Sequence, residues 1–295
     1  LTDTGRNQYV VLVDGKPLRG KVTPPSGRSA VELVSGPPRG EHTVTLYKLT
    51  EPLVGEATLH GFILDKYGEA LPTPARSERR IEIIGDSIST GYGNEGNDPS
   101  CGFSPETENH FVTYGARAAR ELGAELVTLA WSGRGVFSNR GSTTETETMS
   151  VLWERTLPSD AASAFDFKAP APSAVVINLG TNDFAPEVKD TTPFGPAFDA
   201  LFASVRGRYP EAHIFITLGP LLRDDATRPS YTEAKTVLTS LVEKKTAGGY
   251  KLVDFFEFGR VRSDEGLGCD WHPTEKTHRR MAGELLGALR SELGW

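Results

Sequence analysis

The sequence predicts an α/β chain, a parallel five-stranded sheet flanked by helices and preceded by a small all-β sandwich. Three observations predict it. After residue 77, apolar strand-like runs alternate with segments of helical period. Before that point, helix signals are nearly absent and short β-branched runs are punctuated by turn residues. Between the two lie Pro72, Pro74 and Ser77, a linker composition, so the expected domains are 1–76 and 77–295.

In the first part, 8–13 reads as a strand and ends at Asp14-Gly15, a hairpin-type dipeptide. A second strand is expected at 30–34, stopped by the Gly-Pro-Pro breaker at 36–38. Residues 42–49 alternate, with Val44, Leu46 and Lys48 on one face, and 57–64 supply a further strand. Four strands are few for a closed sandwich, so earlier strands are expected to be missing.

In the second part the strands are read at 80–84, 125–131, 174–179, 213–218 and 251–256. The run at 174–179 is apolar apart from Asn178, as in a strand covered on both faces. Helices are expected at 113–123, 197–208, 231–245 and 277–293, where apolar residues recur on one stripe, as with Phe198, Leu201, Phe202 and Val205. Residues 138–172 are less regular and are expected over the rim of the sheet, with a solvated Glu- and Thr-rich run at 143–148.

Composition narrows the function. The chain has 295 residues, 38% of them hydrophobic and 24% charged, enough apolar side chain for a packed core in each part. A net charge of −7 without a basic run argues against nucleic acid or an anionic membrane as partner. No apolar run approaches the ~18 residues of a spanning helix. No leader is visible, and a first residue Leu1 in place of Met points to a terminus removed or omitted. Cys101 and Cys269 are two thiols if the protein is cytosolic and one disulfide if it is secreted; both readings stand.

Open parallel sheets bind ligands beyond the carboxyl ends of their strands. The residues there are Gly85-Asp86-Ser87, Ser132-Gly133-Arg134-Gly135, Gly180-Thr181-Asn182-Asp183 and, along a loop after the fifth strand, Asp270-Trp271-His272-Pro273. A hydroxyl, glycines, an amide and an imidazole thus meet on one rim. A serine hydroxyl attacks only when a base takes its proton, and histidine titrates in the right range. The tetrahedral intermediate needs N–H donors, for which the main chains of Ser87 and Gly133 and the side chain of Asn182 are candidates. The G-x-S-x-G elbow of α/β-hydrolases is absent, so another scaffold is indicated. None of the remaining histidines, 42, 60, 110, 213 and 278, stands in a metal-binding spacing. Local hydrogen bonding is the expected role of Asp86 and Asp183, and Gly135 competes with Gly133 as donor.

At these residues the chain resembles the SGNH, or GDSL-type, hydrolases: IIGDSIS (83–89), AWSGRG (130–135), LGTND (179–183) and DWHP (270–273) come in the family's order. The strings GDSISTGYGNEG (85–96), CGFSPETENH (101–110) and GCDWHPT (268–274) are similar to carbohydrate esterase family 2, and DTGRNQYVVLVDG (3–15) extends the likeness loosely into the β-region. The resemblance implies a flavodoxin-like three-layer core behind a jelly-roll-like sandwich. It also implies a secreted or extracytoplasmic serine esterase, without metal or cofactor, that removes acetyl groups from polysaccharides such as xylan. It assigns Ser87 as nucleophile, His272 as base, and Ser87, Gly133 and Asn182 as oxyanion donors. One departure stands out. The orienting Asp of many SGNH enzymes lies three residues before the His, where this chain has Cys269; Asp270 lies two before. Its carboxylate is expected to orient His272, with its backbone carbonyl as the alternative. Tyr92, Phe137 and Trp271 are candidates for the substrate wall. Competing readings are a lipase-like esterase of broader acyl preference, an acyltransferase, and a carbohydrate-binding protein with a degenerate esterase domain.

Overall fold

The computed structural model describes residues 1–36, 39–141, 146–167 and 170–295. Six short strands make two three-stranded antiparallel sheets in the first part: β1 (Thr2–Asp3), β2 (Tyr9–Val13), β3 (Lys16–Pro17), β4 (Gly27–Arg28), β5 (Val44–Lys48) and β6 (Ala57–Thr58). One sheet runs β4-β1-β6 and the other β3-β2-β5. The Asp14-Gly15 hairpin forms as its dipeptide predicts, joining β2 to β3 with both turn residues at positive φ. The core of this part is small, Val10, Leu12 and Leu49 with Tyr47 and Phe111 against them.

Two expectations here are corrected. Residues 30–34 are not a strand; the pairing segment is β4, just before them. β-propensity does not create a ladder without a neighbouring strand to receive it. The strand expected at 57–64 shrinks to β6, because its partner β1 offers only Thr2 and Asp3 for pairing. Beyond it Leu59, Phe62, Ile63 and Leu64 are exposed. Two residues of the 36–38 breaker and part of the 143–148 run lie outside the described residues.

The second part holds β7 (Arg80–Gly85), α1 (Ser87–Thr90), α2 (Tyr114–Glu121), β8 (Glu125–Ala130), α3 (Met149–Leu152), β9 (Ala174–Asn178), α4 (Phe194–Arg208), β10 (His213–Leu218), α5 (Ser230–Ala247), β11 (Val253–Glu257) and α6 (Glu275–Leu293). Its sheet is fully parallel in the order β11-β10-β9-β7-β8. This is the flavodoxin-like order, with the first strand between the second and the third. Side chains alternate between faces, as the strand period demands. Ile81, Ile83, Ala174, Val176 and Phe215 join α2 and α6 in one core layer. Ile84, Val175, Ile177, Ile214 and Ile216 join α4 and α5 in the other. The irregular segment contributes α3 and the buried Trp153 to this second layer.

Strand register aligns the rim. Gly85 of β7 pairs with Ala130 of β8 and Asn178 of β9. The residues just past these three ends therefore start level with one another, at the switch point where ligands bind in open sheets.

Candidate active site

Ser87 stands two residues past the end of β7. A Cβ on Gly85 would lie 2.1 Å from the Ser89 hydroxyl, so only glycine lets the chain turn into α1 this tightly. Asp86 caps that turn; its carboxylate accepts from the Ile88 N–H at 3.0 Å. Burial pushes the Asp86 carboxyl up to about 7. The local role expected of Asp86 is thus the geometry found.

His272 arrives from the far end of the chain. Its Nε2 lies 2.9 Å from the Ser87 hydroxyl across a sequence separation of 185. Its Nδ1 faces two backbone carbonyls, Asp270 O at 3.0 Å and Cys269 O at 3.2 Å. Carbonyl oxygens only accept, so the ring proton sits on Nδ1 and the Nε2 lone pair faces the serine O–H. That is the protonation a general base requires.

The carboxylate of Asp270 is not the orienter, which corrects the expectation. It accepts from the Tyr92 hydroxyl at 2.7 Å instead. The cause is backbone conformation. Asp270 and Trp271 both have positive φ, 50° and 59°. Two successive left-handed residues swing the 269 and 270 carbonyls under the imidazole and turn the Asp270 side chain outward to Tyr92. Such conformations cost about 1–3 kcal/mol each in a non-glycine residue and cluster at functional sites. Asp270→Asn is therefore expected to lower kcat/KM less than tenfold, since Asn tolerates positive φ and the carbonyls stay. An orienting carboxylate would cost about 10⁴-fold on the same change.

The rim between β8 and α3 supplies the next group. Arg134 N–H donates to Trp131 O at 3.3 Å, closing a four-residue turn with Gly133 third at φ 77°. A type II turn requires positive φ there, hence glycine. Asn182, past β9 and buried, donates its side-chain N–H to Arg134 O at 2.9 Å. The contact fixes the amide beside the turn, and the group carries a second N–H. Asp183 is structural: its carboxylate accepts from the N–H groups of Val136, Phe137 and Ser138 at 2.8–3.0 Å, pinning the loop after the turn. Gly135 is held against this carboxylate, where a Cβ would come within 2.6 Å. It serves loop packing, and Gly133 is the glycine left open to the rim.

Comparison with known proteins gives the family. The GDSL-like lipase/acylhydrolase family model matches residues 83–280, and the carbohydrate esterase 2 N-terminal model matches residues 1–74. A family two carbohydrate esterase from Clostridium thermocellum, solved in complex with cellohexaose, superposes with TM-score 0.94 at 37% identity, over 100% of this chain and 88% of that one. The chain belongs to the GDSL-like carbohydrate esterases of family 2. It is also 38% identical to the cellulase/esterase CelE of Acetivibrio thermocellus over 99% of its own length, spanning 35% of that longer relative. An acetylxylan esterase / glucomannan deacetylase of Cellvibrio japonicus is 26% identical over the whole chain and 79% of its own length.

Aromatic rings border the Ser87–His272 pair. Tyr92 lies 4.3 Å from the His272 ring and stacks on Phe103 at 4.5 Å. Trp271 is 59% exposed beside the dyad. Phe137 packs against the core cluster while Asp183 holds its N–H, which makes it a support of the loop more than a wall. The cysteines resolve in favour of the oxidised reading: Cys101 and Cys269 form a disulfide. It ties the histidine loop to the 101–110 segment, reinforced by Asp270 N–H to Cys101 O at 2.9 Å, while Cys269 N–H donates to Gly93 O, just past α1, at 3.0 Å.

Sequence reasoning missed Glu51, which crosses from the β-domain to bond Ser132. A Glu before a Pro in a loop carries no local signal of such a contact. Among the described residues, His213, Asp254 and Glu292 place potential metal-binding atoms within 4.8 Å of one another. They stand by the amino ends of β10 and β11 and on α6, away from the catalytic rim, and His213 Nε2 is bonded to Asp254 at 2.6 Å.

Burial lowers the His272 imidazole to about 4, the two carbonyls opposing it. Only the neutral ring can take the serine proton. The acid limb of kcat/KM should therefore have its midpoint near 4, measured by chromatography of released acid. A midpoint at the ordinary value near 6.5 contradicts this.

Proposed function

We propose that this esterase removes acetyl groups from carbohydrate, a plant polysaccharide such as xylan being the substrate class, through an acyl-enzyme on Ser87. The observation that carries the reading is the contact between the Ser87 hydroxyl and His272 Nε2 at 2.9 Å. In the first half-reaction Ser87 Oγ bonds the acetyl carbon as its proton passes to Nε2. The oxyanion is met by the N–H groups of Ser87 and Gly133 and by the Asn182 amide, each such donor contributing about 10²–10³ in rate. The Cys269 and Asp270 carbonyls stabilise the imidazolium. His272 then protonates the departing sugar oxygen. Water, deprotonated by the same nitrogen, breaks the acyl-enzyme and releases acetate.

The carbohydrate preference is supported by the relatives, one solved with cellohexaose and one an acetylxylan esterase / glucomannan deacetylase. It is also supported by the exposed indole of Trp271, a flat face suited to a sugar ring, with Tyr92 as the neighbouring wall. The disulfide supports secretion or an extracytoplasmic site. No helix among the described residues is long and apolar enough to cross a membrane. A division at 76/77 is supported by family matches ending at 74 and starting at 83.

The test is a panel of p-nitrophenyl esters beside acetylated xylan. The reading expects kcat/KM to fall steeply beyond acetate and acetate to be released from the polymer. Equal rates on longer acyl chains without polymer deacetylation favour a lipase-like esterase. Polymer binding without turnover of any ester favours a binding protein.

A further inference from the structure

We infer that Glu51 of the β-domain is a positioning residue of the esterase, holding the turn that presents Gly133 to the reacting acyl oxygen, so that the β-domain is a working part of the active site. The inference rests on the oxyanion role proposed above for Gly133.

Glu51 lies three residues beyond β5. Pro52 behind it disfavours the helical conformation. The chain around it is tied to the catalytic domain, with Glu51 N–H donating to the Glu108 carboxylate at 3.2 Å and His110 N–H donating to Leu49 O at 2.9 Å. From this seam the side chain reaches Ser132, the second residue of the turn. One carboxylate oxygen accepts from Ser132 N–H at 2.8 Å and the other from the Ser132 hydroxyl. The Thr90 hydroxyl, 3.3 Å from Ser132 Oγ, donates to Ser87 O at 3.1 Å. The Glu51 bonds thus join the β-domain to the oxyanion turn, beside the nucleophile helix.

A structural seam would not need this arrangement. Glu51 and Glu108 are 5% and 0% exposed and lie side by side, with Lys48 as the nearby cation. Burying two adjacent carboxyls is costly. What the arrangement achieves is a two-point grip on the one residue whose peptide sets the direction of the Gly133 N–H. Catalytic donors act only when preorganised toward the developing charge, so loosening this grip should be felt in the transition state and little in substrate binding.

The experiment compares Glu51→Ala, Glu51→Asp and Glu51→Gln, with Ser132→Ala and the double variant, on p-nitrophenyl acetate. Asp keeps the charge but falls short by a methylene; Gln keeps the reach and an acceptor. We expect Ala and Asp to lose at least tenfold in kcat with KM within about twofold, and Gln to recover most of it. Glu51→Ala/Ser132→Ala should be no worse than Glu51→Ala, because both act through one contact. Where Glu51→Ala is not recovered folded, Glu51→Asp carries the test. Retention of kcat within twofold in folded Ala or Asp, a loss confined to KM, or additive losses in the double variant overturns the inference. Absence of ester turnover by the wild type would instead overturn the proposed function.

Discussion

Ser87→Ala is expected to lower kcat by about 10⁶-fold while leaving the fold intact, with stability changed by no more than about 1 kcal/mol. The turn that carries the serine does not depend on its hydroxyl. Asp86 caps α1 through its own carboxylate, and Gly91 closes it at φ 87°. His272→Ala should cost a similar factor, because a hydroxyl without a base is as inert as a base without a hydroxyl. Combining the two should then add little. Rates of p-nitrophenyl acetate turnover, with circular dichroism to certify the fold, decide it. Losses that multiply in the double variant would mean that the two groups do not act as one unit.

The second large effect belongs to the disulfide. Cys101→Ala/Cys269→Ala removes a cross-link that closes a loop of 168 residues, worth about 5 kcal/mol in the chain-entropy account. The melting temperature should fall by about 8 °C for a protein of this size. Activity should fall as well, measured below the new melting temperature. The bridge sits one residue from Asp270, in the left-handed pair that aims two carbonyls at His272. A variant that melts lower yet retains full kcat would separate the bridge from the histidine loop.

Much of the fold and the site is legible in the sequence, and for definite reasons. The rim residues are readable because an open parallel sheet places the segment after each strand on one side; Ser87, Gly133 and Asn182 each lie within four residues of a strand end. Strand β9 announces itself by four apolar residues in a row, Ala174 to Ile177, since both faces of the sheet are covered there. The β-domain is less readable. Its strands are two to five residues long, too short for a period to show, and whether 30–34 or 27–28 pairs depends on a distant partner. Which group of Asp270 faces His272, the carboxylate or the carbonyl offered as the alternative, is unreadable for another reason. A carbonyl is present at every residue, and only the positive φ of Asp270 and Trp271 selects which ones face Nδ1. Glu51 fails on range, its contact with Ser132 spanning 81 residues and two domains.

The central claim is that an acyl group passes through the Ser87 oxygen. Rapid acid quench during turnover of an excess of acetyl ester, then peptide mass spectrometry, tests it most directly. One acetyl group on the peptide carrying Ser87, absent from Ser87→Ala and accumulating when deacylation is slowed, is the result predicted. Steady acetate release with that peptide never labelled, or with the label on another residue, would contradict it.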